Sequence, residues 1–352
     1  MTKKIKVAVL FGGCSDEYSV SLHSAAGVLR ALDPQRYEMI QIGIDRQGDW
    51  FLTSASPAEI EADQWHQPEN QRLQLTLARS RFELKTASNQ PIDVDVFFPV
   101  LHGRNGEDGS LQGMFELFHI PFVGCGLDAS LLGMDKALSH QLAQQHGIEV
   151  SPFLVFNSAE LDQKRSQIQR LKLPCFVKPA RGGSSIGITK ITTWKELDSA
   201  CAAAAKHDSR ILIEEAVVGE EIGCSVLETA EGLVLGAVDR IHLNSDFFDY
   251  EEKYVDTHAE VECPAPLPDF ISEQMRRMAL KLWEIHHCHG LVRVDCFLTG
   301  DQRIVFNEIN TLPGMTATSR YPRMMGQAGI TFEMILDTLI DEALRRSAKW
   351  TA

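Results

Sequence analysis

The stretch Leu291-Val-Arg-Val-Asp-Cys-Phe-Leu-Thr-Gly-Asp-Gln-Arg-Ile-Val-Phe-Asn-Glu-Ile-Asn310 decides how this chain is read. Residues 291–298 and 303–310 alternate apolar and polar side chains, the period of two that marks half-buried strands. Thr299-Gly-Asp-Gln302 between them has hairpin turn chemistry. Paired across that turn, the strands place Arg293 roughly opposite Glu308. Asp295 and Asn310 are each two residues further along and so share the same face. That face carries two carboxylates, an amide oxygen and a guanidinium. Oxygen-only ligands of this kind suit Mg²⁺, which takes few protein ligands and leaves room for phosphate oxygens.

Working outward, Arg181-Gly-Gly-Ser-Ser-Ile-Gly187 is a glycine- and serine-rich loop between two strands expected at 175–179 and 188–191. Glycines let backbone N–H groups approach phosphate oxygens, and serine hydroxyls add donors. The loop joins strand to strand and the chain lacks Gly-Lys, so it is not a P-loop. Lys178 at its base is within reach of phosphates, and Lys136 and Lys253 are further cationic candidates, each of which taken singly also reads as a solvated surface lysine. Glu214 and Glu221, at or just beyond the end of a strand at 211–215, read either as a solvated strand end or as acceptors of the kind an adenine amino group and ribose hydroxyls need. His286-His-Cys-His289 ends a helix expected from Asp269. It reads as C-terminal dipole compensation before Gly290 rather than as a metal site.

The first third alternates strands at 5–11, 37–44, 94–101 and 121–123 with helices at 20–32 and 111–118, a doubly wound α/β pattern. Its Gly12-Gly13 loop lacks the third glycine of a dinucleotide fingerprint. Glu17 follows it at a helix start, placed to satisfy the helix dipole or to grip an amine. His102-Gly-Arg-Asn-Gly-Glu107-Asp-Gly109 lies at the C-terminal end of a buried strand, where α/β sheets bind ligands. A helix is expected over 128–146, and Thr193-Trp-Lys-Glu196 is a capping box. The 352 residues carry a net charge of -14, which argues against nucleic acid or an anionic membrane as partner. Eight cysteines without a Cys-x-x-Cys pair suit reduced thiols in a cytoplasm. The apolar run after Lys3-Lys4-Ile-Lys6 is too short for a signal peptide and reads as a first strand.

Together these motifs identify a resemblance to the D-alanine–D-alanine ligases of the ATP-grasp superfamily, over essentially the whole length. Six segments match in order: Phe11-Gly-Gly with Ser15, Glu17 and Val20-Ser-Leu22; Leu101-His-Gly with Gly106-Glu-Asp-Gly109; Met134-Asp-Lys136; Val177-Lys-Pro179 with Gly183-Ser-Ser and Gly187; Phe248-Asp-Tyr-Glu-Glu-Lys-Tyr254; and Arg293 with Asp295 through Asn307-Glu308, Asn310-Thr and Pro313-Gly314. The resemblance implies an α/β ATP-grasp fold with an N-terminal Rossmann-like domain. It divides the chain into 1–125 (first substrate), 126–213 (glycine-rich loop) and 214–352 (Mg²⁺, ATP and second substrate). It implies ATP as substrate and two Mg²⁺, or Mn²⁺, on Asp295, Glu308 and Asn310. By the same resemblance Lys136, Lys178, Ser185 and Lys253 contact phosphates, and Glu214 and Glu221 hold adenine and ribose. Glu17 binds the first D-alanine ammonium beside His102, and Ser184 and Tyr254 tie a mobile loop to Glu17. Arg293 and the Gly314 N–H form an oxyanion hole, and Ser319 binds the second carboxylate.

The implied product is a D-alanine dipeptide for peptidoglycan synthesis, made by a cytoplasmic homodimer. Tyr18, Phe248 and Ser319-Arg320-Tyr-Pro322 depart from the housekeeping pattern and resemble the vancomycin-resistance ligases. Arg320 is thereby a second-subsite candidate. D-Alanine and D-serine both stand as acceptors, with D-lactate, or another ATP-grasp carboxylate–amine ligase, as the alternative.

Overall fold

The computed structural model describes residues 3–68, 70–78, 81–183, 186–242 and 260–348. The chain begins with β1 (Ile5–Gly12), α1 (Tyr18–Ala31) and β2 (Tyr37–Ile44), then β3 (Trp50–Thr53), α2 (Pro57–Glu61), β4 (Gln71–Ala78), β5 (Arg81–Thr86) and β6 (Val96–Pro99). They form one sheet, ordered β5-β4-β3-β2-β1-β6. β1 runs parallel to both β2 and β6, the expected doubly wound nucleus, because α1 carries the chain across between parallel neighbours. β3, β4 and β5 extend it as an antiparallel meander. That addition was not read from residues 45–93.

β1 ends at a position only glycine tolerates. Gly12 has φ +89°, and a β-carbon there would lie 2.2 Å from the Ile44 carbonyl oxygen. Its N–H donates to the buried Ser21 hydroxyl (2.8 Å), which itself donates to the Val100 carbonyl (2.5 Å). This pins the strand end against α1 and fixes where Glu17 emerges.

Next come α3 (Ser110–Leu117), α4 (Leu127–Met134) and α5 (Lys136–Gln145). The single helix expected across 128–146 is therefore two. Asp135 breaks it with an extended backbone (φ -88°, ψ 94°), and its side chain caps α5 by accepting the Leu138 N–H. Asp135 also pairs with Arg210. Lys136 thus opens a helix instead of sitting inside one.

The central sheet is β7-β10-β8-β9, antiparallel throughout, from β7 (Phe153–Asn157), α6 (Leu161–Ile168), β8 (Cys175–Pro179), β9 (Thr189–Ile191), α7 (Leu197–Ala204) and β10 (Arg210–Glu215). The Thr193–Glu196 capping box is present, but on a 3₁₀ turn that leads into α7.

The last sheet is β14-β13-β11-β15-β16, with β12 on β11. It is built from β11 (Gly219–Thr229), β12 (Gly232–Leu235), β13 (Asp239–His242), β14 (Glu260–Glu262), β15 (Leu291–Thr299) and β16 (Ile304–Asn310). The helices here are α8 (Asp269–Ile285), α9 (Arg320–Gln327) and α10 (Phe332–Ser347). Ile335, Leu336, Leu339 and Ile340 of α10 join the core that holds Val7, Val9 and Leu22, so the first and last segments share one interior. Each such side chain contributes about 1.5–3 kcal/mol on burial. Tyr37 adds a hydroxyl donated to Asp337 at 2.5 Å. Among the described residues no helix is long and apolar enough to cross a membrane.

Candidate active site

Asp295 and Glu308 are cross-strand partners on β15 and β16, and Arg293 pairs with Asn310. The sequence reading, which set Arg293 opposite Glu308, is corrected by two residues. The strands pair from Leu298 opposite Ile304, one residue along, and a register shift between Asp295 and Cys296 that leaves Asn307 without a cross-strand partner adds the second. Because the correction is an even number, all four side chains keep one face. Val294 and Ile309 between them point into the core.

Asp295 is 1% exposed and held from several sides. Arg293 donates from Nε to Oδ1 (2.9 Å) and from Nη2 to Oδ2 (2.7 Å), and Asn310 Nδ2 donates to Oδ2 at 2.8 Å. Burial opposes its ionisation, but the Arg293 and Arg320 guanidinium groups outweigh that and hold it below the ordinary carboxylate range. Lys136 Nζ lies 2.9 Å from Glu308 Oε2 and donates to the Gly182 carbonyl at 2.9 Å. It therefore links the metal-type face to the glycine-rich loop. The oxygen donors and their cations fit a hard divalent ion with phosphates: the carboxylates are neutralised now by exactly the kind of charge such a ligand set would share with Lys136.

Arg320 opens α9 and turns inward. Its Nε and Nη2 each donate to Asp239 at 2.8 Å, Nη1 donates to Glu221 Oε1 at 3.0 Å, and Nη2 lies 3.2 Å from Asp295 Oδ1. With its side chain 13% exposed and all these partners, Arg320 faces the interior and not outward to solvent. Gly223 makes room for it, since a β-carbon there would lie 2.5 Å from Nη2. Neighbouring Ser319 has its hydroxyl 2.7 Å from Thr316 Oγ1, and a β-carbon on Gly314 would lie 3.1 Å from the Ser319 oxygen.

Glu17 sits at the N-cap of α1, 8% exposed. Its N–H donates to Ser15 Oγ, which donates to the His102 carbonyl. His102 Nε2 is 3.0 Å from Ser24 Oγ. Burial, then the Arg293 charge, pushes the imidazole down to about 4, so it is neutral at pH 7. The glycine-rich loop reaches this corner too: a β-carbon on Gly183 would lie 2.4 Å from Glu17 Oε2.

Glu17, His102, Lys136, Glu221, Arg293, Asp295, Glu308, Asn310, Gly314, Ser319 and Arg320 all line one cleft of about 1040 Å³. Lys178 and Glu214 do not line it. They pair with each other at 2.6 Å across β8 and β10, and His140 Nδ1 is 3.9 Å from the second Glu214 oxygen. Ser184, Ser185, Lys253 and Tyr254 lie outside the described residues. Glu107, Asp239 and Gly223 were not singled out as site residues. Glu107 was visible in its glycine-rich loop, whereas nothing local marks Asp239.

The histidine run is structural where it is buried. His286 Nδ1–H donates to the Leu282 carbonyl (2.9 Å), and Nε2 accepts from Ser139 (2.8 Å). His289 lies with Glu228 and Glu342, but Arg345 and Arg346 stand 3.7 and 3.4 Å from those carboxylates and already balance their charge.

An α/β domain with a parallel nucleus, two further antiparallel sheets and a cleft lined by Lys136, arginines and carboxylates define an ATP-dependent ligase of the ATP-grasp fold. Family models described as D-ala D-ala ligase N-terminus and D-ala D-ala ligase C-terminus match residues 6–125 and 142–341. The chain belongs to the D-alanine–D-alanine ligase family. It is 44% identical to a D-alanine–D-alanine ligase of Nocardia farcinica, over 98% of this chain and 99% of that protein. It is likewise 44% identical to the vancomycin C-type resistance protein VanC1 of Enterococcus gallinarum, over 95% and 97%. The solved VanG D-Ala:D-Ser ligase of Enterococcus faecalis superposes with a TM-score of 0.89 at 40% identity, covering 97% of this chain and all of that one. As a member of the family, the chain is an ATP-dependent ligase that joins D-alanine to a second D-amino acid, yielding a dipeptide for peptidoglycan precursors.

Proposed function

We propose that the acceptor this enzyme prefers is D-serine. The observation that carries the reading is Arg320, held in the cleft wall one residue after Ser319 by Asp239 and Glu221. If Ser319 takes the acceptor carboxylate, the adjoining wall is polar and charged. A site built to hydrogen-bond a hydroxyl rejects the analogue that lacks one more strongly than an apolar pocket rejects an added hydroxyl. The VanG D-Ala:D-Ser ligase, similar along nearly the whole chain, supports the same choice. Product mass after incubation with ATP, D-alanine and equimolar D-alanine, D-serine and D-lactate as acceptors tests it. Excess D-alanyl-D-serine is expected, and a dominant D-alanyl-D-alanine product would remove the reading.

The proposed roles are those the family resemblance implies, and the cleft that gathers Glu17, His102, Lys136, Arg293, Asp295, Glu308 and Asn310 supports them. Glu17 grips the ammonium of the first D-alanine, with neutral His102 beside it. A carboxylate oxygen of that substrate attacks the γ-phosphorus, ADP leaves, and an acylphosphate forms. Lys136, Lys178, Lys253 and Ser185 hold phosphate oxygens, while Glu214 and Glu221 take adenine and ribose. Asp295, Glu308 and Asn310 would hold two Mg²⁺, or Mn²⁺, which when bound screen the phosphate charge. The acceptor amine then attacks the acyl carbon and phosphate departs. Arg293 Nη1 and the Gly314 N–H receive the oxyanion, since Arg293 Nε and Nη2 are committed to Asp295. Ser184 and Tyr254 close on Glu17 and exclude water that would otherwise hydrolyse the acylphosphate.

The proposal includes three units, 1–125, 126–213 and 214–352. Strand β10 (Arg210–Glu215) spans the second junction. It also includes a cytoplasmic homodimer that binds neither nucleic acid nor membrane, in keeping with the net charge of -14.

A further inference from the structure

Glu107 is a carboxylate in the cleft, 15% exposed, that the reaction as described does not use. It lines the same cavity as Glu17 and Lys136. Its Oε2 accepts the Gly103 N–H at 2.6 Å and stands 3.9 Å from His102 Nδ1. Gly103 is also where Glu17 arrives: a β-carbon on Gly103 would lie 2.4 Å from Glu17 Oε2. Two carboxylates thus converge on one glycine, in the corner of the cleft assigned to the first substrate's ammonium.

An ammonium has three donors, and a single carboxylate leaves some of them to water in a site that must be dry. A second acidic oxygen supplies what is missing. Burial, and then the charge of Glu17, push the Glu107 carboxyl up to about 8. Two like charges confined together resist joint ionisation, and a cation placed between them removes that resistance. From this convergence we infer that Glu107 is a second carboxylate for the ammonium of the first D-alanine, acting with Glu17 and positioned by Gly103. The inference rests on the family reaction and on the assignment of Glu17.

The competing account is that Glu107 merely staples the loop through Gly103. Glu107→Gln separates the two, because the amide oxygen still accepts the Gly103 N–H while the charge is gone. Initial rates of ADP release, with D-serine saturating as acceptor, should show KM for the first D-alanine raised about tenfold or more, on the scale of one charge-assisted hydrogen bond. Turnover should stay within about threefold, and the melting temperature should not fall, since the cost of burying a carboxyl that ionises freely in the unfolded chain has been removed. Glu107→Asp keeps the charge with a shorter reach and should lie between wild type and Glu107→Gln in KM. An unchanged KM in Glu107→Gln, a loss carried by turnover alone, or Glu107→Asp behaving worse than Glu107→Gln would overturn the assignment. Wild-type enzyme that releases no ADP in response to D-alanine would instead overturn the reading of the reaction, a result distinct from any of these.

Discussion

Arg320 clasps Asp239 through two nitrogens at 2.8 Å each, although 81 residues separate them in the chain. Asp239 is fully buried. Removing the guanidinium would leave that carboxylate in the interior without its bidentate partner. Arg320→Ala is therefore expected to destabilise the fold by ~3–5 kcal/mol, read from urea midpoints. Arg320→Lys, which keeps a charge but not the fork, should fold better yet lose preference between D-serine and D-alanine. A D-serine/D-alanine product ratio unchanged in Arg320→Lys would count against Arg320 as part of the acceptor wall.

Arg293 is proposed to serve the oxyanion while it neutralises Asp295. Arg293→Ala should lower turnover by ~10²-fold or more, the scale of a lost oxyanion donor. Steady-state turnover near that of wild type would remove the assignment.

Gly183 presses on the carboxylate of Glu17. A methyl group there would lie 2.4 Å from one Glu17 oxygen and 2.8 Å from the other, so the carboxylate must move. Misplacement of a reacting or binding group by about 1 Å costs up to ~10²-fold, so Gly183→Ala should cut kcat/KM for the first D-alanine by ~10–100-fold. Circular dichroism should show the fold intact, since the displaced group faces the cleft.

His286 predicts a pH dependence of stability whose sign can be worked out. Burial pushes its pKa from 6.5 down to about 4. Between those pH values the unfolded chain binds a proton that the native one refuses, so stability rises with pH and is lost as pH falls from 6.5 through 4. The shift corresponds to at most about 3 kcal/mol. Glu107 has the opposite sign, because its raised pKa favours the native state at lower pH. The contribution of His286 is thus isolated by subtracting the profile of His286→Gln from that of wild type. The difference should fall steadily toward acid, and a flat difference would contradict the neutral, buried imidazole.

Much of the site was legible because its chemistry is carried by residue type and short spacing. Alternation over 291–310 was enough to place Arg293, Asp295, Glu308 and Asn310 on one face, even though the register was two residues out. One residue of the error is the bulge at the unpaired Asn307, and the other is the pairing of Leu298 with Ile304 beside the turn; neither leaves a mark in a period-two pattern. The break between α4 and α5 was missed for a similar reason. Met134-Asp-Lys136 reads as continuous helix until Asp135 finds Arg210 across the fold.

By itself, the order of residues determined many of the strands and helices and which side chains form the acidic face, and it marked the glycine-rich loop as a phosphate-binding candidate. These depend on periodicity and on neighbours a few positions apart. Only the tertiary structure decided that Arg320 turns inward to Asp239, that Glu107 meets Glu17 across Gly103, and that α10 completes the core begun by β1. Such choices are settled by the cost of burying a charge or an apolar face without a partner. The partner is supplied by distant parts of the chain, so no local window of residues contains it.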